Sequence, residues 1–107
     1  MSGVLLPRGT VTFLFSDIEG SSELVRRVGD GAFAAIRGDH RRLVREALAA
    51  HDGHEIDTAG DGFFVAFDSA RSAVQAAISA QLALAAFTWP PDAEVRVRMG
   101  FIPLNRT

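Results

Sequence analysis

The chain has 107 residues, 48% of them hydrophobic and 22% charged, with a formal net charge of −2. That length suits one domain able to bury a core without covalent staples, and the acidic balance argues against a chain that coats nucleic acid. Cysteine is absent, which excludes disulfide frameworks and thiolate metal sites. Residues 1–6 form too short an apolar stretch for a signal peptide, and no segment approaches the ~20 apolar residues of a membrane span. The expectation is a cytoplasmic chain with no membrane partner.

Residues 10–15 read as a first strand. Val11, Phe13 and Phe15 share one face and Leu14 makes the other apolar, so this strand is expected at the sheet centre, covered on both sides. Gly20-Ser21-Ser22 opens a helical stretch with Leu24, Val25 and Val28 at helical spacing, ending at Gly29-Asp30-Gly31. A longer helix follows over about 32–50, with an apolar stripe of Phe33, Ile36, Leu43, Val44, Ala47 and Leu48. Arg37, Arg41, Arg42 and Arg45 fall outside that stripe as a solvated face, and Arg42 and Glu46 form an i, i+4 pair.

A hairpin comes next, pairing 55–58 with 63–67 around Gly60-Asp61-Gly62. Asp68 or Ser69 caps a third helix reaching about Ala86, with Ala70, Ala73, Val74, Ala77, Ile78, Leu82 and Ala85 expected inside. Trp89-Pro90-Pro91-Asp92 is a turn, because tandem prolines cannot continue a helix. Residues 94–101 alternate as a half-exposed last strand, and 102–107 are expected to be an irregular tail. The order predicts a single α+β domain over 1–107. Its fold class is a ferredoxin-like βαββαβ sandwich, an antiparallel sheet with helices on one face.

Two aspartates carry the chemical interest. Asp17 lies just past the first strand, Asp61 lies in the hairpin turn, and the topology brings both to one edge of the sheet. Paired carboxylates there suit Mg²⁺ or Mn²⁺, and Gly20, Ser21 and Ser22 at a helix N-terminus favour phosphate. Each aspartate also has a plainer role, Asp61 as a hairpin residue and Asp17 as a local cap. His51 and His54 straddle a helix end and a strand start, so His51 reads as a cation near a helix C-terminus rather than a ligand. An RNA-recognition module shares the element order, but Gly62-Phe63-Phe64-Val65-Ala66-Phe67 is one residue short of the aromatic strand motif. One residue turns the later side chains to the opposite face.

Gly9-Thr10-Val11-Thr12-Phe13-Leu14-Phe15-Ser16-Asp17-Ile18-Glu19-Gly20-Ser21-Ser22 resembles the opening of a class III adenylate/guanylate cyclase catalytic domain. The resemblance continues through His40-Arg41-Arg42-Leu43-Val44-Arg45, His51-Asp52-Gly53-His54-Glu55, Gly60-Asp61-Gly62-Phe63-Phe64-Val65-Ala66-Phe67 and Val95-Arg96-Val97-Arg98-Met99-Gly100. It implies Asp17 and Asp61 as metal ligands, helped by the Ile18 carbonyl, in a two-ion Mg²⁺ or Mn²⁺ site. It also implies a nucleoside triphosphate as substrate and a cyclic nucleotide and pyrophosphate as products.

Three departures stand out. The position that often holds a purine-selecting lysine is Asp57, and Phe101-Ile102-Pro103 replaces a His-Thr-Gly-Glu-like segment. The segment carrying the second base-selecting residue and the transition-state Asn and Arg is not in the 107 residues. The expectation is therefore a C-terminally truncated domain, inactive alone, whose partner is a homodimer mate or another cyclase-like domain. A non-catalytic partner domain is the alternative.

Overall fold

Alternation along the first strand decides the architecture. In the computed structural model, which describes residues 9–57 and 62–106, β1 (Gly9–Ile18) turns Leu14 and Ile18 into the core at 0% and 2% exposure. The helices lie on that face only. On the other face Val11 is 0% and Phe15 45% exposed, so the expected cover on both sides of β1 holds at Val11 and is corrected at Phe15.

The remaining elements are α1 (Ser21–Val28), α2 (Asp30–Ala50), β2 (His54–Asp57), β3 (Phe63–Phe67), α3 (Ala70–Ala86) and β4 (Val97–Arg106). The sheet order is β2-β3-β1-β4 with every pairing antiparallel, which is the expected ferredoxin-like arrangement. Leu14 pairs with Val65 on β3 and with Phe101 on β4. Phe63, Val65 and Phe67 therefore share the helix face, where Val44 and Leu48 of α2 and Ala73, Ala76 and Ala77 of α3 meet them. A second cluster joins Ile18 to Leu24, Phe33 and Ile36, and His40 completes the buried series of α2. Among the described residues no helix is long and apolar enough to cross a membrane.

Two elements differ from expectation for identifiable reasons. The inward face of α3 is Ala73, Ala76, Ala77, Ala80 and Leu84, whereas Val74, Ile78 and Leu82 are 45%, 54% and 66% exposed. The helix carries two adjacent apolar stripes, and only the alanine stripe lets its backbone approach the sheet and α2 closely. Ser69 is the N-cap, its hydroxyl accepting from the Ser72 N–H at 3.1 Å. The tail expected to be irregular is strand instead: 102–106 extend β4 and pair with 9–13 of β1. A long partner strand supplied the ladder that local sequence did not advertise. Residues 94–96, expected in that strand, precede it.

Glycine is required for space at the end of α2. A Cβ at Gly53 would lie 2.8 Å from Val65 Cγ1, 2.9 Å from Leu48 O and 2.9 Å from Phe67 Cζ. At Gly100 a Cβ would meet the Phe15 ring, but that ring is 45% exposed and free to swing aside. Gly53→Ala is expected to cost about 1–3 kcal/mol through overpacking, and Gly100→Ala under about 1 kcal/mol. Urea unfolding of both variants checks this: the midpoint should fall clearly further for Gly53→Ala, with m unchanged.

Candidate functional site

The cleft begins where β1 runs out. Asp17 is the penultimate residue of β1 and points away from the helices, since it pairs with Arg98 while Ile18 pairs with Val97. After Glu19, whose N–H donates to Arg96 O at 2.7 Å, Gly20 turns the chain in the left-handed region at φ 64°. That turn needs glycine. It delivers Ser21 and Ser22 as the first two residues of α1, where backbone N–H groups have no helical acceptor. Asp17, Ile18, Gly20, Ser21, Ser22 and Asp57 all line one cleft of about 530 Å³. The expected phosphate-binding turn, the expected base-selecting position and one expected metal ligand are thus brought together.

Asp61, the second expected ligand, lies outside the described residues. Its chain neighbours Gly62 and Phe63 line the same cleft. Among the described residues no group of three His, Asp or Glu side chains could hold a metal ion. His51 and His54 form no pair: His51 is the C-cap of α2, its Nε2 3.0 Å from Ser79 Oγ, and His54 stands in β2 opposite Ala66.

Two residues escaped the sequence reading. Arg98 reaches across from β4 and holds both oxygens of Asp17, Nε to Oδ1 at 3.1 Å and Nη2 to Oδ2 at 3.0 Å. The hydrogen bonds that Arg98 donates to this carboxylate, then the carboxylate's charge, raise the Arg98 pKa above its ordinary value. A raised arginine pKa adds stability that persists through neutral pH and is lost only in strong alkali. The signal for Arg98 was the alternation of β4, which put it on the same face as Asp17 once the register was known. Ser16 is the other: it lines the cleft at 4% exposure, and its hydroxyl has no hydrogen-bond partner among the described residues.

The floor beside these groups is aromatic. Phe13 and Phe64 stack with centroids 5.0 Å apart on the open face of the sheet. Phe63 and Phe67 are buried against the helices, so β3 does not present the aromatic pair of an RNA-recognition strand.

Comparison with known proteins agrees with this architecture. The family model of the adenylate and guanylate cyclase catalytic domain matches residues 6–101. An adenylate cyclase of Lachancea kluyveri is 37% identical over 80% of this chain, which spans 5% of that protein. The receptor-type adenylate cyclase GRESAG 4.3 of Trypanosoma brucei brucei is 36% identical over 81% of the chain, which spans 7% of it. A solved structure of adenylate cyclases from Trypanosoma brucei in their monomeric state superposes with a TM-score of 0.82 at 25% identity, covering 95% of this chain and 59% of that one. The chain belongs to the class III adenylate/guanylate cyclase catalytic domain family, and it corresponds to part of that domain.

Asp17 and Arg98 have side chains 49% and 62% exposed, so water competes for both. Asp17→Asn is expected to change folding stability by less than about 1 kcal/mol. Thermal unfolding followed by circular dichroism checks this. A large loss of stability would show that the pair is structural.

Proposed function

We propose that this chain is the metal- and phosphate-binding portion of a nucleotide cyclase domain, acting on ATP or GTP with Mg²⁺ or Mn²⁺. The observation that supports it most is the convergence of Asp17, the Gly20–Ser22 turn and the approach of the hairpin at Gly62 on one cleft. Asp17, the Ile18 carbonyl and Asp61 are the residues that would hold two cations. The donor chemistry fits: the oxygens are hard, and the Asp17 carboxylate is half-open to water and, among the described residues, paired with the Arg98 side chain, which can be displaced. A bound divalent cation would neutralise triphosphate charge and lower the pKa of the ribose 3′-hydroxyl.

The chain's own residues divide the remaining work. The N–H groups after Gly20 and the helix dipole of α1 receive phosphate oxygens. Arg98 stands at the same rim, where its guanidinium would be free to pair with phosphate oxygens if Asp17 held a cation. Asp57 is exposed on β2 and can only accept hydrogen bonds when ionised, which favours a base edge rich in N–H donors over adenine. The groups that meet the developing charge of the transition state come, in this reading, from a second cyclase-like domain, in a homodimer or a heterodimer. The 107-residue chain alone therefore turns over negligibly.

Three measurements test this. Titration calorimetry should show Mn²⁺ binding to the chain that disappears in Asp17→Asn and in Asp61→Asn. Arg98→Gln, which removes the competitor for Asp17, should tighten Mn²⁺ binding roughly 2- to 5-fold, the worth of an exposed ion pair. The purified chain should give no detectable cyclic nucleotide from ATP or GTP. Clear turnover by the isolated chain would overturn the division of labour, and no Mn²⁺ binding would overturn the site.

A further inference from the structure

Asp17 and Arg98 occupy each other. One guanidinium takes both carboxylate oxygens, Nε to Oδ1 at 3.1 Å and Nη2 to Oδ2 at 3.0 Å. Among the described residues that line the cleft, Arg98 is the cationic side chain and Asp17 and Asp57 are the anionic ones. A polyphosphate entering the cleft therefore meets two carboxylates and a positive charge that is already engaged. A cation meets a carboxylate whose oxygens both already accept hydrogen bonds. The pair is a feature of the sheet itself, because Asp17 and Arg98 stand directly opposite in the β1–β4 ladder. Cross-strand neighbours of opposite charge meet whenever the ladder forms, so only a turn of the two side chains separates them.

We propose that the Asp17–Arg98 pair is a latch that closes the cation site and the anion site together, so that a divalent cation on Asp17 and a polyphosphate on Arg98 each open the place of the other. The proposal rests on the reading of the cleft given above and adds to it a coupling between the two ligands. Either ligand alone must first break the fork. Its affinity falls by the fraction of molecules in which the pair is open. Once one ligand is bound the pair is already broken, and the second meets no such penalty. Linkage makes the effect reciprocal: the cation tightens the anion by the factor that the anion tightens the cation.

The size of the coupling is the strength of the pair. With side chains 49% and 62% exposed, a fork of this kind is worth roughly 2- to 5-fold in an equilibrium constant. That is enough to favour joint over separate occupancy and weak enough for either ligand to open. A through-space effect of charge is the competing account, and Glu19 separates the two. Its charge also acts on Arg98, but among the described residues the side-chain fork is made by Asp17.

Titration calorimetry with inorganic tripolyphosphate, free of metal, is the test, with circular dichroism to verify the fold of each variant. Asp17→Asn should bind tripolyphosphate roughly 2- to 5-fold more tightly than the unaltered chain, and Arg98→Gln more weakly than either. Glu19→Gln removes a neighbouring charge and leaves the fork intact, so it should move the affinity clearly less than Asp17→Asn. Mn²⁺ titrated without anion should tighten in Arg98→Gln by a factor similar to that of tripolyphosphate in Asp17→Asn, since both report the same open fraction. Tripolyphosphate affinity that is unchanged in Asp17→Asn, equally raised in Glu19→Gln, or indifferent to Arg98→Gln would overturn the latch. So would Mn²⁺ binding that does not tighten in Arg98→Gln. Mn²⁺ that binds none of the chains strikes the cyclase reading instead, and the hold of Asp17 on Arg98 is then decided by the metal-free titrations.

Discussion

Everything in this molecule hangs on β1 being held between two antiparallel strands. Ten residue pairs join it to β4 and five join it to β3. In such a ladder opposite residues share a face, so one register decides at once which side chains form the core and which form the site. Leu14, Val65 and Phe101 fall on the helix side; Asp17 and Arg98 fall on the open side. A one-residue slip would turn Asp17 into the helices and Ile18 into water. The burial of Leu14 and Ile18 is therefore the same constraint that presents the carboxylate.

The two faces of the sheet are built for different ends. The helix face is closed with small residues: five buried positions on α3 include four alanines, which brings that helix close to the strands and to α2. The open face keeps its large groups at the surface, with Phe13 stacked on Phe64 and Phe15 lying over Gly100. The Asp17–Arg98 pair stands at the rim of that floor, its side chains half-open to water. The cleft combines that floor with the Asp17–Arg98 pair and the helix start after Gly20.

Arg98 gives the site a built-in counter-charge. With both oxygens of Asp17 engaged by one guanidinium, the carboxylate is oriented before anything binds. A planar fork is well suited to this because it fixes direction as well as charge. Elsewhere the same device serves architecture: Arg45 grips Glu55 at 3.0 and 3.2 Å, tying the end of α2 to β2. The hydrogen bond to Glu55 raises the Arg45 pKa. The two pairs look alike in geometry, and only their surroundings separate a tether from part of a site.

Much was legible in the sequence because it was written in local patterns. Strand β3, the helix start at Ser69, the glycine stop before α2 and the element order all follow from alternation, capping and turn chemistry within a few residues. So does the placement of Asp17 beside the Gly20 turn. What local pattern could not decide was anything set by a distant partner. The tail after Phe101 became strand because β1 was long enough to pair with it, and Arg98 came to line the cleft because that pairing placed it opposite Asp17. On α3 the sequence offered two apolar stripes of similar hydrophobicity. The choice between them was made by how closely a backbone can approach a sheet, a property of the assembled layers rather than of the helix itself.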